Sequence, residues 1–336
     1  MNAVLERLYR REDLDPADLE GLFTRLVAGE LDPVLLTALL VTLKVKGERG
    51  SEIAAAARAL RVAARPFPRP DYLFADSCGT GGDGFGTLNV SSGVALVAAA
   101  CGLPIAKHGN RSVSSRSGSA DVFEAAGVNV RADAATARRA LDEVGICFLF
   151  APDYHPGIAH AMPVRRALAT RTLFNLLGPL VNPAIPPCQL VGVYAPEYVR
   201  PLAEAFVALG VANALVVHGG GLDEIALHAP TQAARIGDGG IEFIEITPEG
   251  AGLARQPLEA LAGGSPQQNA AVLESTLAGG GPRAYRDAIA LNAGALLWIA
   301  GRVHDIRAGT LQAAAALADG LAADRLASLR AFANGA

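Results

Sequence analysis

The sequence has no C-x-x-C pair, no uncharged apolar run long enough to cross a membrane and no excess of basic charge. Its four cysteines, Cys78, Cys101, Cys147 and Cys188, lie apart in apolar or glycine-rich stretches. Buried free thiols in a reducing cytosol are the default for such a pattern. Met1-Asn-Ala-Val-Leu-Glu-Arg7 carries no apolar signal region, and a membrane span would need about 18 apolar residues in a row. A cytoplasmic location is the expectation. Charged residues make up only 18% of the 336, against 51% hydrophobic, so a sizeable core in one large or two ordinary domains is expected and disorder is not. A net charge of −4 argues against a general nucleic-acid or membrane-surface binder.

Two stretches stand out against that background. Asp76-Ser-Cys-Gly-Thr-Gly-Gly-Asp-Gly-Phe-Gly-Thr-Leu-Asn-Val-Ser-Ser92 places four glycines among the six residues Gly79 to Gly84. Such a loop has no Cβ atoms to hold a ligand off the backbone and can take φ > 0. Successive N–H groups can then converge on a phosphate. Asn89, Ser91 and Ser92 cap an apolar helical run, Val94 to Ala100, whose N-terminus is a second anion site. No Gly-Lys-Ser/Thr closes the loop, so it is not a Walker A loop. Gly79, Gly81 and Gly84 match G-x-G-x-x-G, but Ala99–Lys107 offers no acidic residue for a ribose. A flexible surface turn is the bland alternative. The second stretch, Lys107-His-Gly-Asn-Arg-Ser-Val-Ser-Ser-Arg-Ser-Gly-Ser-Ala-Asp121, sets Lys107, Arg111 and Arg116 among serines. Together the two make a polyphosphate cradle with many donors and few acceptors.

Asp223-Glu224 supplies what that cradle lacks. Adjacent carboxylates in a loop are usually solvated surface, but these follow a candidate strand and a glycine turn, Gly219–Gly221. Mg²⁺ is held by one or two carboxylates plus substrate phosphates. Farther along, an aromatic acid would need an arginine for its carboxylate, and Arg165 or Arg166 can provide it unless both are plain helix charges. His155, Met162, Pro179 and Leu180 can line a slot for a ring.

Gly79-Thr-Gly-Gly-Asp83, Asn89-Val-Ser91 and Lys107-His-Gly-Asn-Arg111 resemble the signature of the anthranilate phosphoribosyltransferases of tryptophan biosynthesis. The resemblance continues through Arg171-Thr-Leu-Phe-Asn-Leu-Leu-Gly-Pro-Leu-Val-Asn-Pro183, Gly221-Leu-Asp-Glu224 and Pro230-Thr231 to Leu291-Asn-Ala293. It implies transfer of the 5-phosphoribosyl group from 5-phosphoribosyl 1-diphosphate to the amino group of anthranilate, releasing diphosphate. On that resemblance the donor is held by Gly79, Gly82, Asp83, Thr87, Asn89, Val90, Ser91, Ser92, Lys107, His108, Gly109, Asn110, Arg111, Ser112, Val113, Ser114, Ser115 and Ser119. Anthranilate falls to Gly79, Asn110 and Arg165, beside His155 and Pro179. Two Mg²⁺ ions per subunit fall to Ser91, Asp223 and Glu224, with Glu224 touching both. No general base is evident; His108 and His155 are candidate proton acceptors, with a structural role as the competing reading. The departures are Ser92 for a usual Thr, Gly157-Ile-Ala159 for Ala-Met-Lys, and Gly264-Ser-Pro-Gln-Gln-Asn-Ala270. The rivals are a pyrimidine nucleoside phosphorylase-like enzyme, whose pattern lacks the Lys-His-Gly-Asn-Arg and Gly-Leu-Asp-Glu motifs, and a non-catalytic nucleic-acid-binding relative, which should be basic.

The expected fold is α/β: a small N-terminal helical domain plus a large α/β domain with a central, mostly parallel sheet covered by helices. Residues 1–65 read as helices, with Asp15-Pro16 and Asp32-Pro33 as N-caps followed by Pro and Gly29 and Gly47 as stops. Leu31–Val45 is apolar nearly all round and should be buried or face another subunit; the family resemblance implies a homodimer through this domain. Arg65-Pro-Phe-Pro-Arg-Pro70 is the linker, and residues 71–336 form the donor-binding domain, with about 160–180 returning to the helices. Strands are expected at Tyr72–Asp76, Pro104–Lys107, Cys147–Phe150, Leu190–Tyr194, Ala214–His218 and Phe243–Ile246, with Val128–Val130 extended. Leu311, Leu317, Leu321, Leu326 and Leu329 suggest a helix face in the Ala-rich tail.

Overall fold

The computed structural model describes residues 2–112 and 116–335. Four helices come first: α1 (Asn2–Tyr9), α2 (Pro16–Val27), α3 (Pro33–Lys46) and α4 (Gly50–Val62). Asp32 caps α3 as expected, accepting from the N–H groups of Val34 and Leu35 at 2.8 and 3.2 Å. Asp15 stands in the same place before α2, yet makes no cap, because its carboxylate goes to Arg7 instead. Gly47 ends α3 with φ +91°, a conformation that costs glycine nothing. The buried carboxylate of Glu52 ties the unit together. It accepts from the backbone of Leu14 and Arg49 and pairs with Lys46. Helix α3 is buried on one side only: Leu36, Leu39, Leu40 and Leu43 are inside, while Val34 and Val45 are 75% and 65% exposed.

The rest alternates. The elements are β1 (Ala75–Gly79), α5 (Val90–Ala100), β2 (Ile105–Gly109), α6 (Ser119–Ala125), α7 (Ala134–Glu143), β3 (Ile146–Phe150), α8 (Ala151–Tyr154), α9 (Met162–Leu168), α10 (Leu173–Leu177), β4 (Cys188–Gly192), α11 (Val199–Ala208) and β5 (Asn213–Gly219). They continue as β6 (Thr231–Gly237), β7 (Gly240–Ile246), α12 (Pro266–Leu277), α13 (Arg283–Ile299), α14 (Ile306–Ala318) and α15 (Leu321–Ala333). The sheet order among the described residues is β3-β2-β1-β4-β5-β6-β7. The first five run parallel, and β6 and β7 close the edge antiparallel.

Two apolar cores flank the sheet. One joins β1–β3 to α5 and α12–α15. The other joins α1–α4 to α11 and to Ala161, Val164, Leu173, Leu177 and Leu180 of the segment that returns to them.

Some local expectations shift. Strand β1 starts later than Tyr72 and runs into the first glycine of the loop, and α5 starts at Val90 rather than Val94. Val128–Val130 forms no strand; in the connection between α6 and α7 Val128 and Val130 are buried and Asn129 between them is exposed. Strand β6 had no sequence signal of its own, because its broken apolar pattern, Thr-Gln-Ala-Ala-Arg-Ile-Gly, does not read as a strand. In the tail, Leu317, Leu326 and Leu329 are buried, but Leu311 and Leu321 are 64% and 46% exposed.

Candidate active site

Strands β1, β2, β4 and β5 all end in glycine: Gly79, Gly109, Gly192 and Gly219. Chain order reverses between neighbours β1 and β4, and ligands in open α/β sheets sit outside the strand ends at such a point. The glycines there make room for a carboxylate. A Cβ on Gly79 would lie 2.1 Å from Asp223 Oδ2, and one on Gly192 would lie 1.6 Å from the Asp223 carbonyl oxygen. Asp223 is thus laid across the ends of both strands. Its Oδ2 accepts from the Gly81 N–H at 2.6 Å, and Thr80 N–H donates to Gly192 O at 2.9 Å. Beyond them Gly82 and Gly84 hold φ of +81° and +89°, and Asp83 accepts from Phe85 N–H. The far end of the loop is clasped by a distant segment: Thr87 bridges Ala262, and Leu88 N–H donates to Leu261 O.

Ser91, Asp223 and Glu224 come together here: the Ser91 N–H donates to Glu224, and Asp223 is close enough for its charge to act on it. Burial pushes the Asp223 carboxyl up to about 7, and Asp83 beside it adds to the effect. Burial also raises Glu224 well above the usual carboxylate range, followed by the Asp223 charge; Lys107 and the Ser91 N–H oppose it. Lys107 is 1% exposed and donates to Ser77 O at 2.7 Å and to Ser91 Oγ at 3.4 Å. Carboxylates crowded together with one buried ammonium lack positive charge, and Mg²⁺ fits that deficit. Among the described residues no three His, Cys, Asp or Glu side chains are arranged to hold a metal by themselves. An ion held by Ser91, Asp223 and Glu224 would complete its shell from substrate phosphates.

The basic stretch divides. Lys107, His108 and Gly109 are the end of β2, and Ser119 opens α6. Asn110 is exposed, its Oδ1 accepting from Arg111 N–H. Arg111 pairs with Asp121 and Glu124. Ser112 N–H donates to Asp121 at 3.0 Å. Val113, Ser114 and Ser115 lie outside the described residues. Val90 and Ser92 are buried in the first turn of α5, and the Ser92 hydroxyl has no partner among the described residues. Asn89 stands at the cap position without capping. Its amide donates to Ser117 O at 3.1 Å and its Oδ1 accepts from Asn269 at 3.0 Å. Asn89 therefore staples the glycine loop to the basic loop.

On the other flank, His108 and His155 meet edge to face at 5.6 Å between ring centroids. Burial, then the neighbouring His155, lowers His108 to about 3. Burial lowers His155 too, and its Nε2 donates to Val181 O at 2.7 Å. Burial thus disfavours the charged form of both rings. Pro179, next to Leu180, is buried, and its carbonyl accepts from Gln189. The Arg165 guanidinium lies 5.0 Å over the Phe174 ring and touches Met162 Sδ at 3.9 Å. Burial lowers it, and among the described residues no carboxylate pairs with it. Gly157, a departure from the family pattern, is packed on α2: a Cβ there would lie 2.7 Å from Val27 O.

Three residues hold this site from behind: Thr231 and Asn292 lie in motifs that the sequence resemblance covers but with no supporting role read for them, and Tyr285 was missed. Tyr285, fully buried on α13, donates to Asn89 O at 2.9 Å. Asn292, two turns on, brackets the backbone of Ile225: it accepts from the N–H at 2.9 Å and donates to the carbonyl at 3.0 Å. Thr231 Oγ1 accepts from Ala226 N–H at 3.0 Å. The carboxylate loop is thereby fixed on the side away from the crevice. The available signal was the presence of a Tyr and an Asn in an apolar helix, since buried polar groups need partners. The Gly264–Ala270 departure also has a role here, because Asn269 grips Asn89.

The chain was compared with known proteins. Residues 71–323 match the glycosyl transferase family, a/b domain, and residues 2–64 match the glycosyl transferase family, helical bundle domain. An anthranilate phosphoribosyltransferase from Sorangium cellulosum is 59% identical over 326 residues, 97% of this chain and 94% of the relative. The crystal structure of anthranilate phosphoribosyltransferase from Thermus thermophilus superposes with a TM-score of 0.93 at 44% identity, covering 99% of each chain. The Saccharomyces cerevisiae enzyme in complex with PRPP and Mg gives a TM-score of 0.91 at 26% identity, covering 99% of this chain and 98% of that one.

Proposed function

Because the chain belongs to the anthranilate phosphoribosyltransferase family, we infer that it transfers the 5-phosphoribosyl group from 5-phosphoribosyl 1-diphosphate to the amino group of anthranilate, within tryptophan biosynthesis. The products are N-(5-phosphoribosyl)anthranilate and diphosphate. The observation that carries the reading is the meeting of the Gly81 N–H, Ser91, Lys107, Asp223 and Glu224 at the strand ends.

The glycine loop and the first turn of α5 hold the diphosphate and ribose, and Lys107 to Ser115 with Ser119 hold the rest of the donor. Ser91, Asp223 and Glu224 hold two Mg²⁺ ions per subunit. Mg²⁺, when bound, neutralises charge that develops on the departing diphosphate. The chain's own part is positioning and charge stabilisation, without a covalent intermediate. Arg165 takes the anthranilate carboxylate, with Asn110 and Gly79 beside it. The rings of His108 and His155, with Pro179, shape the slot. The aromatic amine attacks C1 from the face opposite the diphosphate, and its proton leaves late; burial lowers the basicity of both His108 and His155.

Residues 1–65, joined by about 160–180, form the helical domain, and 71–336 form the donor-binding domain. The pocket lies between them. The protein is a cytoplasmic homodimer through the helical domain. The exposed row of Val34, Val41 and Val45 on α3 supports that surface.

The reaction is tested by the loss of anthranilate fluorescence on mixing protein, Mg²⁺ and the donor, with each component omitted in turn. Loss only in the complete mixture is expected; no loss with donor-competent, folded protein would mean another acceptor. A second expectation concerns Arg165→Ala. The KM for anthranilate should rise about tenfold or more, the worth of a lost charge-assisted hydrogen bond, with the donor KM within about twofold. Equal rises in both would make Arg165 structural.

A further inference from the structure

A further cation lies at this site. Arg171 is half-buried, and its guanidinium lies 4.4 Å over the Tyr194 ring. No carboxylate, carbonyl or hydroxyl bonds to that guanidinium among the described residues. Its Nε lies 3.2 Å from where a Cβ on Gly82 would be. The side chain thus lies along the glycine loop itself. The ring beneath it is held firmly. Tyr194 N–H donates to Thr80 Oγ1 at 3.1 Å. Tyr194 packs on Tyr198 at 5.1 Å, and the Tyr198 hydroxyl donates to the buried Glu48 at 3.2 Å. A stacked, pre-aimed guanidinium is suited to phosphate oxygens, which it meets bidentately.

Two arginines six residues apart therefore sit on different rings. Arg165 lies over Phe174, and Arg171 lies over Tyr194 and against the glycine loop. Lys107 reaches the cradle from within the sheet. Arg171 reaches it at Gly82, next in sequence to Asp83, where an incoming polyanion meets like charge.

We propose that Arg171 is a binding residue for the diphosphate group of the donor and of the released product, held in place by Tyr194. The proposal rests on the phosphoribosyl-transfer reading and deepens it.

The test is calorimetric titration of the full-length protein, with Mg²⁺ fixed, using inorganic diphosphate and, separately, 5-phosphoribosyl 1-diphosphate. Arg171→Gln should weaken both by about tenfold or more, while the anthranilate KM changes less than about twofold. Arg171→Lys should recover part of the loss, keeping the charge but not the fork or the stack. Tyr194→Leu should weaken diphosphate in the same direction by freeing the guanidinium. Unchanged diphosphate affinity in Arg171→Gln overturns the assignment. So does a rise in anthranilate KM alone, which would give the guanidinium to the acceptor's carboxylate. A wild-type protein that binds neither diphosphate nor the donor overturns the phosphoribosyl reading, and this assignment with it. Binding of both, unaltered by the variant, leaves that reading standing and removes only Arg171.

Discussion

Glu224→Ala is expected to lose about a thousandfold or more of turnover at saturating Mg²⁺, while unfolding at the wild-type temperature or slightly above it in metal-free buffer. The two halves of that result have one cause. In the protein alone the Glu224 carboxylate is a cost: burial and the Asp223 charge both oppose its ionisation, and only Lys107 and the Ser91 N–H favour it. Removing it relieves crowding among carboxylates. Lys107 keeps a counter-charge, since it also acts on the buried Asp76, and keeps its bond to Ser77 O. What disappears is a carboxylate that accepts from the Ser91 N–H and that, on the proposed reading, would help Ser91 and Asp223 hold Mg²⁺. Two measurements check this: initial rates across an Mg²⁺ titration, and thermal unfolding with a chelator present. Near-normal rates at high Mg²⁺ would remove Glu224 from the metal site. A large fall in unfolding temperature would make it structural instead.

Gly192→Ala should lower stability by about 3 kcal/mol or more, the scale of a forced backbone shift in a packed interior, and should cost activity in whatever fraction folds. The added methyl would lie 1.6 Å from the Asp223 carbonyl oxygen and 2.1 Å from its carbonyl carbon. Both are backbone atoms, so no rotamer change relieves the contact. The loop cannot simply lift, because Ile225 is bracketed by Asn292 and Ala226 is held by Thr231. The contrast is Gly21→Ala in α2, where a Cβ would meet nothing within 4 Å. That change should stabilise by about 0.5–1 kcal/mol through helix propensity. Chemical denaturation of both variants reads the comparison. Similar small effects from the two would mean that the Asp223 loop is free to move off the strand ends.

Much of this site was legible because its chemistry is local. Gly79–Gly84 and Lys107–Arg111 begin in the last residues of a strand and Asp223-Glu224 follows one, and a parallel sheet brings such strand ends to one side. The helical caps were only half legible. Asp32 behaves as its position predicts, whereas Asp15 finds Arg7 and Asn89 finds Ser117 and Asn269, partners that no helix-start pattern specifies. The supports on α12 and α13 were opaque for the same reason. Tyr285 and Asn292 sit in a helix whose apolar pattern says only that it is buried. Gly192 could be seen as a strand end, but its need for glycine comes from Asp223 crossing above it. Arg171 lay inside a recognisable motif, yet its place beside Gly82 depends on a turn between α9 and α10 that periodicity does not set.

The grip of α13 on the cradle also bears on how the protein is made. Asn89 leaves the ribosome 196 residues before the Tyr285 that holds its carbonyl, and Ile225 leaves 67 residues before Asn292. The helical N-terminal unit can settle while synthesis continues, as early segments commonly do. The glycine loop cannot reach its final shape until nearly the whole chain has emerged. A chain that ends before α13 lacks the Tyr285 and Asn292 bonds that fix the cradle and the carboxylate loop.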